Sequence, residues 1–154
     1  MATVKLFVGL RIPDNTSLSA LHTLEKMGYP IKKLEREIYY EFTINSGQDA
    51  FMKKIVLADI LVNHNKNTAY VTGGQDERAQ DAAVLVENID DDSSALLHTL
   101  RERLGFHMIQ DVKKGVYWKF YLAGDVNKVT SASYAKKAAE ELLINSHYQQ
   151  YRLI

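Results

Sequence analysis

The sequence predicts an α+β protein made of two copies of one βαββαβ-type unit, with antiparallel sheets and helices on one face. Two observations lead there. Ser19-Ala20-Leu21-His22-Thr23-Leu24 with Met27-Gly28-Tyr29 is restated as Ala95-Leu96-Leu97-His98-Thr99-Leu100 with Leu104-Gly105-Phe106. The echo then continues beyond that helix: Leu34, Tyr39, Tyr40 and Phe42 return as Val112, Tyr117, Trp118 and Phe120, and Ile60-Leu61-Val62-Asn63 returns as Leu142-Leu143-Ile144-Asn145. The expected division is a first unit over 1–74, a connector over 75–81 and a second unit over 82–154.

Each element has a local reason. Val4, Leu6 and Val8 alternate with Lys5 and Phe7, the period of a strand, and Pro13 ends it. Asp14 to Ser17 supply capping oxygens, after which Leu18, Leu21, Leu24 and Met27 recur at helical spacing. Gly28 suits a left-handed helix end and Pro30 forbids continuation. Ile31 to Ile44 is rich in tyrosine, isoleucine and phenylalanine and reads as a long strand or a bent pair. Asn45-Ser46-Gly47 turns the chain, and Phe51, Ile55, Ala58 and Val62 mark a second helix that ends near Asn63. Thr68 to Thr72 closes the unit, and the resulting order is the ferredoxin-like split βαβ arrangement.

Residues 73–81 lack large apolar side chains, as a connector should. In the second unit, Ala83 to Val86 reads as the first strand, Asp90-Asp91-Asp92-Ser93 as a helix cap, and Met108 to Leu122 as the aromatic strand. Gly124-Asp125 turns the chain into a helix whose face carries Val129, Ala132, Ala135, Ala139 and Leu142. Tyr151 to Ile154 is the expected last strand.

Composition narrows the function. The 19 basic and 19 acidic residues cancel, so no net field gathers nucleic acid or an anionic membrane. No apolar run approaches the roughly 20 residues that span a bilayer, and no cysteine is present. A cytoplasmic protein without nucleic-acid or membrane partners is expected.

The candidate chemistry is sparse. His22 and His98 border the apolar face of their helices, and only Glu25 and Glu102 lie at helical spacing from them, with no third ligand, so no metal site is expected. Asp90-Asp91-Asp92 lacks the spaced ligands and closing glutamate of a calcium loop. No phosphate-cradling glycine loop, nucleophile elbow or cysteine nucleophile occurs, so the chain is expected to be no enzyme and to hold no cofactor. The aromatic strands stand out. Tyr39, Tyr40, Tyr117 and Trp118 span both faces, so about half belong to a core and half to a face exposed or covered by something else. Such rows can stack RNA bases, but with zero net charge a protein interface is the favoured use.

Several of these stretches together resemble the small PurS-type subunit of phosphoribosylformylglycinamidine synthase. They are Val4-Lys5-Leu6-Phe7-Val8, Met27-Gly28-Tyr29, Asp111-Val112-Lys113-Lys114-Gly115-Val116-Tyr117, and Glu140-Glu141-Leu142-Leu143-Ile144-Asn145 followed by Tyr151. The family's Asp-Pro-x-Gly entry to the first helix is missing from both halves, and its strand glycine, matched by Gly115, is Glu37 in the first half. The duplicated chain is also similar to two such subunits joined head to tail in a pseudo-twofold pair, and to the N-terminal domain of the large single-chain synthase. The resemblance implies a non-catalytic adaptor in purine biosynthesis. Its partners would be the ATP-using synthetase and the glutaminase, with homo-oligomer formation as a further expectation and contacts through Tyr39, Lys113, Lys114, Gly115 and Tyr117. The alternative expectation is a duplicated ACT-like module that binds a small effector near Gly28 and Gly105.

Overall fold

The computed structural model describes residues 1–154. In chain order the elements are β1 (Ala2–Leu10), α1 (Asn15–Lys26), β2 (Ile31–Ile44), α2 (Gln48–Ile55), β3 (Asn67–Thr72), β4 (Ala82–Asn88), α3 (Ser94–His98), β5 (Ile109–Leu122), α4 (Lys128–Ala138) and β6 (Gln149–Leu153). One sheet holds all the strands in the order β3-β1-β2-β5-β4-β6, rather than a separate sheet for each half. No turn residue interrupts Ile31 to Ile44, so the strand-or-bent-pair is a single 14-residue strand, and β5 matches it. Each half of the chain therefore runs βαβαβ. No helix is long and apolar enough to cross a membrane.

Two compact units divide the chain, and each draws on both halves of the sequence. One comprises Met1–Arg11, Ile38–Glu77 and Asp91–Lys114; the other comprises Ile12–Glu37, Arg78–Asp90 and Gly115–Ile154. The first places Val4, Leu6, Val8, Phe42 and Ile44 against Phe51 and Ile55 of α2 and Leu100 and Phe106 after α3. Phe51 stands edge-on to Phe42 and Phe106, with ring centroids 5.4 and 5.8 Å away. Burying each such side chain contributes about 1.5–3 kcal/mol. In the second unit, Leu24 of α1 joins Leu34, Val84, Val86, Trp118 and Phe120 under the alanine face of α4.

Helix α1 begins where Asp14 Oδ1 accepts from the Thr16 amide, and it ends before Gly28 at φ +91°. Its core-facing arc is Ser17 and Leu24, buried, with Ala20 and Leu21 partly buried beside them, while Leu18 and Met27, expected on that face, are exposed. Ser17 can be buried because its hydroxyl donates to the Asp14 carbonyl. Helix α2 stops eight residues before the expected Asn63, yet Ala58, Leu61 and Val62 remain in the core through tight turns, such as the Ala58 amide bonding the Ile55 carbonyl. The N-cap of α3 is Ser93, which makes no side-chain capping bond; Asp92, one residue earlier, accepts from the Ser94 amide on Oδ1 at 2.9 Å, and that bond holds the carboxyl below the usual range. Helix α3 continues as a π-turn over Thr99–Arg103, and α4 as another over Ala139–Leu143. Val129, expected on the packing face of α4, is exposed; Ser131, Ala135 and Ala138 form that face.

The two units make the same local bonds at matching places. In the first, the Asn63 side chain accepts from the Asn65 amide, and the Asn67 side chain accepts from the Asn63 amide. In the second, the Asn145 side chain accepts from the His147 amide, and the Gln149 side chain accepts from the Asn145 amide. The amide of Asn45 bonds the Met108 carbonyl at 3.0 Å in one unit, and that of Ala123 bonds the Pro30 carbonyl at 2.7 Å in the other.

Candidate functional site on the second face of the sheet

Successive strand residues point to opposite faces. The helices pack against Leu34, Tyr40 and Phe42 of β2 and against Val112, Trp118 and Phe120 of β5. The opposite face therefore presents Lys33, Glu35, Glu37, Tyr39 and Glu41 from β2, and Lys113, Gly115, Tyr117, Lys119 and Tyr121 from β5. A sheet face without helices is ordinarily wet and polar. Here Glu37, Lys119, Tyr39 and Tyr117 are all buried, so both aromatic faces are covered.

In the second unit the cover is the end of the connector. Arg78 donates to both carboxylate oxygens of Glu37, each at 2.8 Å. Lys119 Nζ stands 3.5 Å from Glu37 and 3.5 Å from Glu35. Gln80 donates to the Tyr117 hydroxyl at 3.2 Å. Asp81 then fastens the segment to β5, its amide bonding the Phe120 carbonyl at 2.9 Å and its carboxylate accepting from the Leu122 amide at 2.7 Å. Arg78 and Gln80 point inward while Glu77, Ala79 and Asp81 are exposed, so the connector is laid out as an extended strap.

The charges in this cluster tune one another. Burial pushes the Glu35 carboxyl up, but the Tyr121 hydroxyl and the ammonium groups of Lys119 and Lys33 outweigh it and hold the group below its ordinary value. Burial, the bond to Glu35 and its negative charge push the Tyr121 hydroxyl far up. Lys33 also lies 5.1 Å from the Tyr121 ring centroid. The arrangement fixes a surface by paired charges and directed hydrogen bonds.

In the first unit the same face centres on aromatic rings. Phe7 and Tyr39 are buried, with centroids 5.4 Å apart and edge-on, and Tyr70 lies 5.7 Å from Phe7. The Tyr39 hydroxyl donates to Glu41 at 2.7 Å.

The five residues expected to touch partners thus fall in two groups. Tyr39, Gly115 and Tyr117 are buried within the chain, and Lys113 and Lys114 are exposed. Lys114 faces the helix side, 5.9 Å from the Tyr40 ring. A Cβ on Gly115 would lie 2.8 Å from both the Leu85 side chain and the Val86 carbonyl oxygen, so the backbone packs too closely for a side chain. Sequence reasoning missed Glu35, Glu37, Arg78, Gln80, Lys119 and Tyr121. Two of them, Arg78 and Gln80, lie in the connector, whose sequence has no apolar alternation to mark them as inward-facing. No three His, Asp or Glu side chains gather in a way that could hold a metal.

Comparison of the sequence with protein-family models finds no match, and comparison with curated proteins finds none either.

Proposed function

We propose that this chain is a non-catalytic, PurS-like subunit of phosphoribosylformylglycinamidine synthase that holds a synthetase and a glutaminase in register for ammonia transfer. The observation that carries the reading is the recurrence of one bonding scheme in the two compact units: the Asn63 and Asn145 turns, and the bonds of Asn45 to Met108 and of Ala123 to Pro30. It supports a duplicated ferredoxin-like unit arranged about a pseudo-twofold, the arrangement that two joined small subunits would have.

The motif positions agree with that reading. Gly28 of Met27-Gly28-Tyr29 is a left-handed helix stop, and Asn145 of the Glu140-to-Asn145 stretch organises the turn into β6. An adaptor needs fixed surfaces more than reactive groups, because ammonia passing between two centres is lost if water reaches it. Lys113 and Lys114, the exposed members of the expected contact set, are the side chains offered to a partner; Gly115 and Tyr117, on the same strand, are packed inside the chain.

Reconstitution tests the proposal. Synthetase plus glutaminase should form product from glutamine faster with this chain than without it, while supply of free ammonia should erase the difference. Lys113→Glu with Lys114→Glu should weaken co-purification without lowering the melting temperature. Equal glutamine-dependent rates with and without the chain would overturn the adaptor reading.

A further inference from the structure

The two compact units differ at the end of the sheet where β4 meets β6. There the second unit holds a cavity of about 260 Å³ lined by Asp81, Ala82, Ala83, Lys128, Ala132, Leu153 and Ile154. The matching place in the first unit follows from strand register. Val4 lies opposite Phe42 and Lys5 opposite Glu41, as Ala82 lies opposite Phe120 and Ala83 opposite Lys119. Aligning α2 and α4 at their first residues pairs Gln48 with Lys128, Met52 with Ala132, and buried Ile55 with buried Ala135.

Two positions on the helix side thus change from large to small: Val4 to Ala82, and Met52 to Ala132. In the first unit the Gln48 and Met52 side chains close over Gly73, where an added Cβ would meet Gln48 Nε2 and lie 3.8 Å from Met52 Sδ. In the second, methyl groups floor an open space. An apolar cavity of about 150 Å³ suffices for benzene, so this one has room for a branched or aromatic side chain and a small head group.

The polar groups at the cavity select the head group. Lys128 brings an ammonium, and Asp81 brings a carboxylate held in place by the Leu122 amide on Oδ2, with its second oxygen also an acceptor. A ligand with one charge would satisfy one of these and oppose the other. We propose that the second unit carries a binding site for a small apolar α-amino acid, its side chain on Ala82 and Ala132, its carboxylate toward Lys128 and its ammonium toward Asp81. The site lies within one unit and is lined by neither Gly28 nor Gly105. It is independent of the adaptor reading, and reconstitution of the synthase complex does not decide it.

Calorimetric titration of the full chain with L-leucine tests the assignment. Saturable binding is expected at millimolar concentration, with isocaproate (no ammonium) and isoamylamine (no carboxylate) each at least about tenfold weaker. Ala132→Met copies Met52 and should abolish binding while the melting temperature holds or rises, because it fills the cavity; Ala82→Val copies Val4 and should do the same. Lys128→Gln should weaken leucine and strengthen isoamylamine, whose ammonium Lys128 opposes. No saturable heat with leucine would overturn the proposal, as would unchanged leucine binding in both filled variants. Isocaproate binding as tightly as leucine would overturn the assigned ligand class.

Discussion

Arg78 grips Glu37 with two parallel hydrogen bonds of 2.8 Å, and Glu37 occupies the β2 position that corresponds to Gly115 of β5. The two strands therefore differ where one must anchor the connector and the other must let a neighbouring backbone approach. Breaking a buried pair by removing one partner commonly costs about 3–5 kcal/mol. The Arg78 side chain is 23% exposed and Lys119 remains beside Glu37, so Arg78→Ala should cost less, about 1–3 kcal/mol. Urea denaturation measures the loss, and hydrogen exchange should show faster opening of residues 78–81.

Gly115→Ala should be harmful despite adding only a methyl group. Its Cβ would press on the Val86 carbonyl and the Leu85 side chain, an overpacking that costs about 1–3 kcal/mol. A fall in melting temperature of roughly 2–12 °C follows for a chain of this size. Gly115→Glu should be worse. Gly74→Ala is the control, since nothing lies within 4 Å of its added carbon.

Phe51→Ala should be among the most damaging core changes. The ring is buried between Phe42 and Phe106, and truncation of such a ring costs about 3–5 kcal/mol. Its counterpart in α4 is Ser131, so the second unit offers no aromatic ring there to lose.

Two pH responses differ in sign. Burial, the hydrogen bond to Glu141 and that group's charge push the Tyr29 hydroxyl from 10.0 to about 12. A raised acid contributes stability that is full below the unfolded value of 10.0 and fades as pH climbs towards about 12. Tyrosinate absorbance should show late titration in that window, and Tyr29→Phe should reduce its amplitude by one group. Glu35 behaves oppositely. Its lowered carboxyl contributes stability that is full above the ordinary 4.5 and is lost as pH falls through its folded value. Glu35→Gln should flatten the acid limb of a melting-temperature profile.

What the sequence reveals depends on how local its cause is. The ends of β2 and β5 and the Gly28 stop were legible because neighbouring residues determine them. The arc of α1 was misjudged by one position, because a serine with a satisfied hydroxyl can lie inside while Leu18 lies outside. The single sheet was not legible, since whether β2 and β5 belong to one sheet or two is decided by pairing far along the chain. Nor was the second face. Lys119 and Glu37 look like solvated charges until Arg78, 41 residues beyond Glu37, is laid over them.

The way each compact unit borrows from both halves of the chain bears on its birth. A nascent chain that has reached Glu77 already holds β1, β2, α2 and β3, but Leu100, Phe106 and Val112, which complete their core, have yet to be synthesised. Leu24 and Leu34 likewise emerge early and wait for Trp118 and the alanines of α4. Such non-local closure slows folding and leaves apolar surface uncovered meanwhile. A ribosome pausing before residue 91 would therefore hold a strand-rich, sticky intermediate, a natural client for a chaperone.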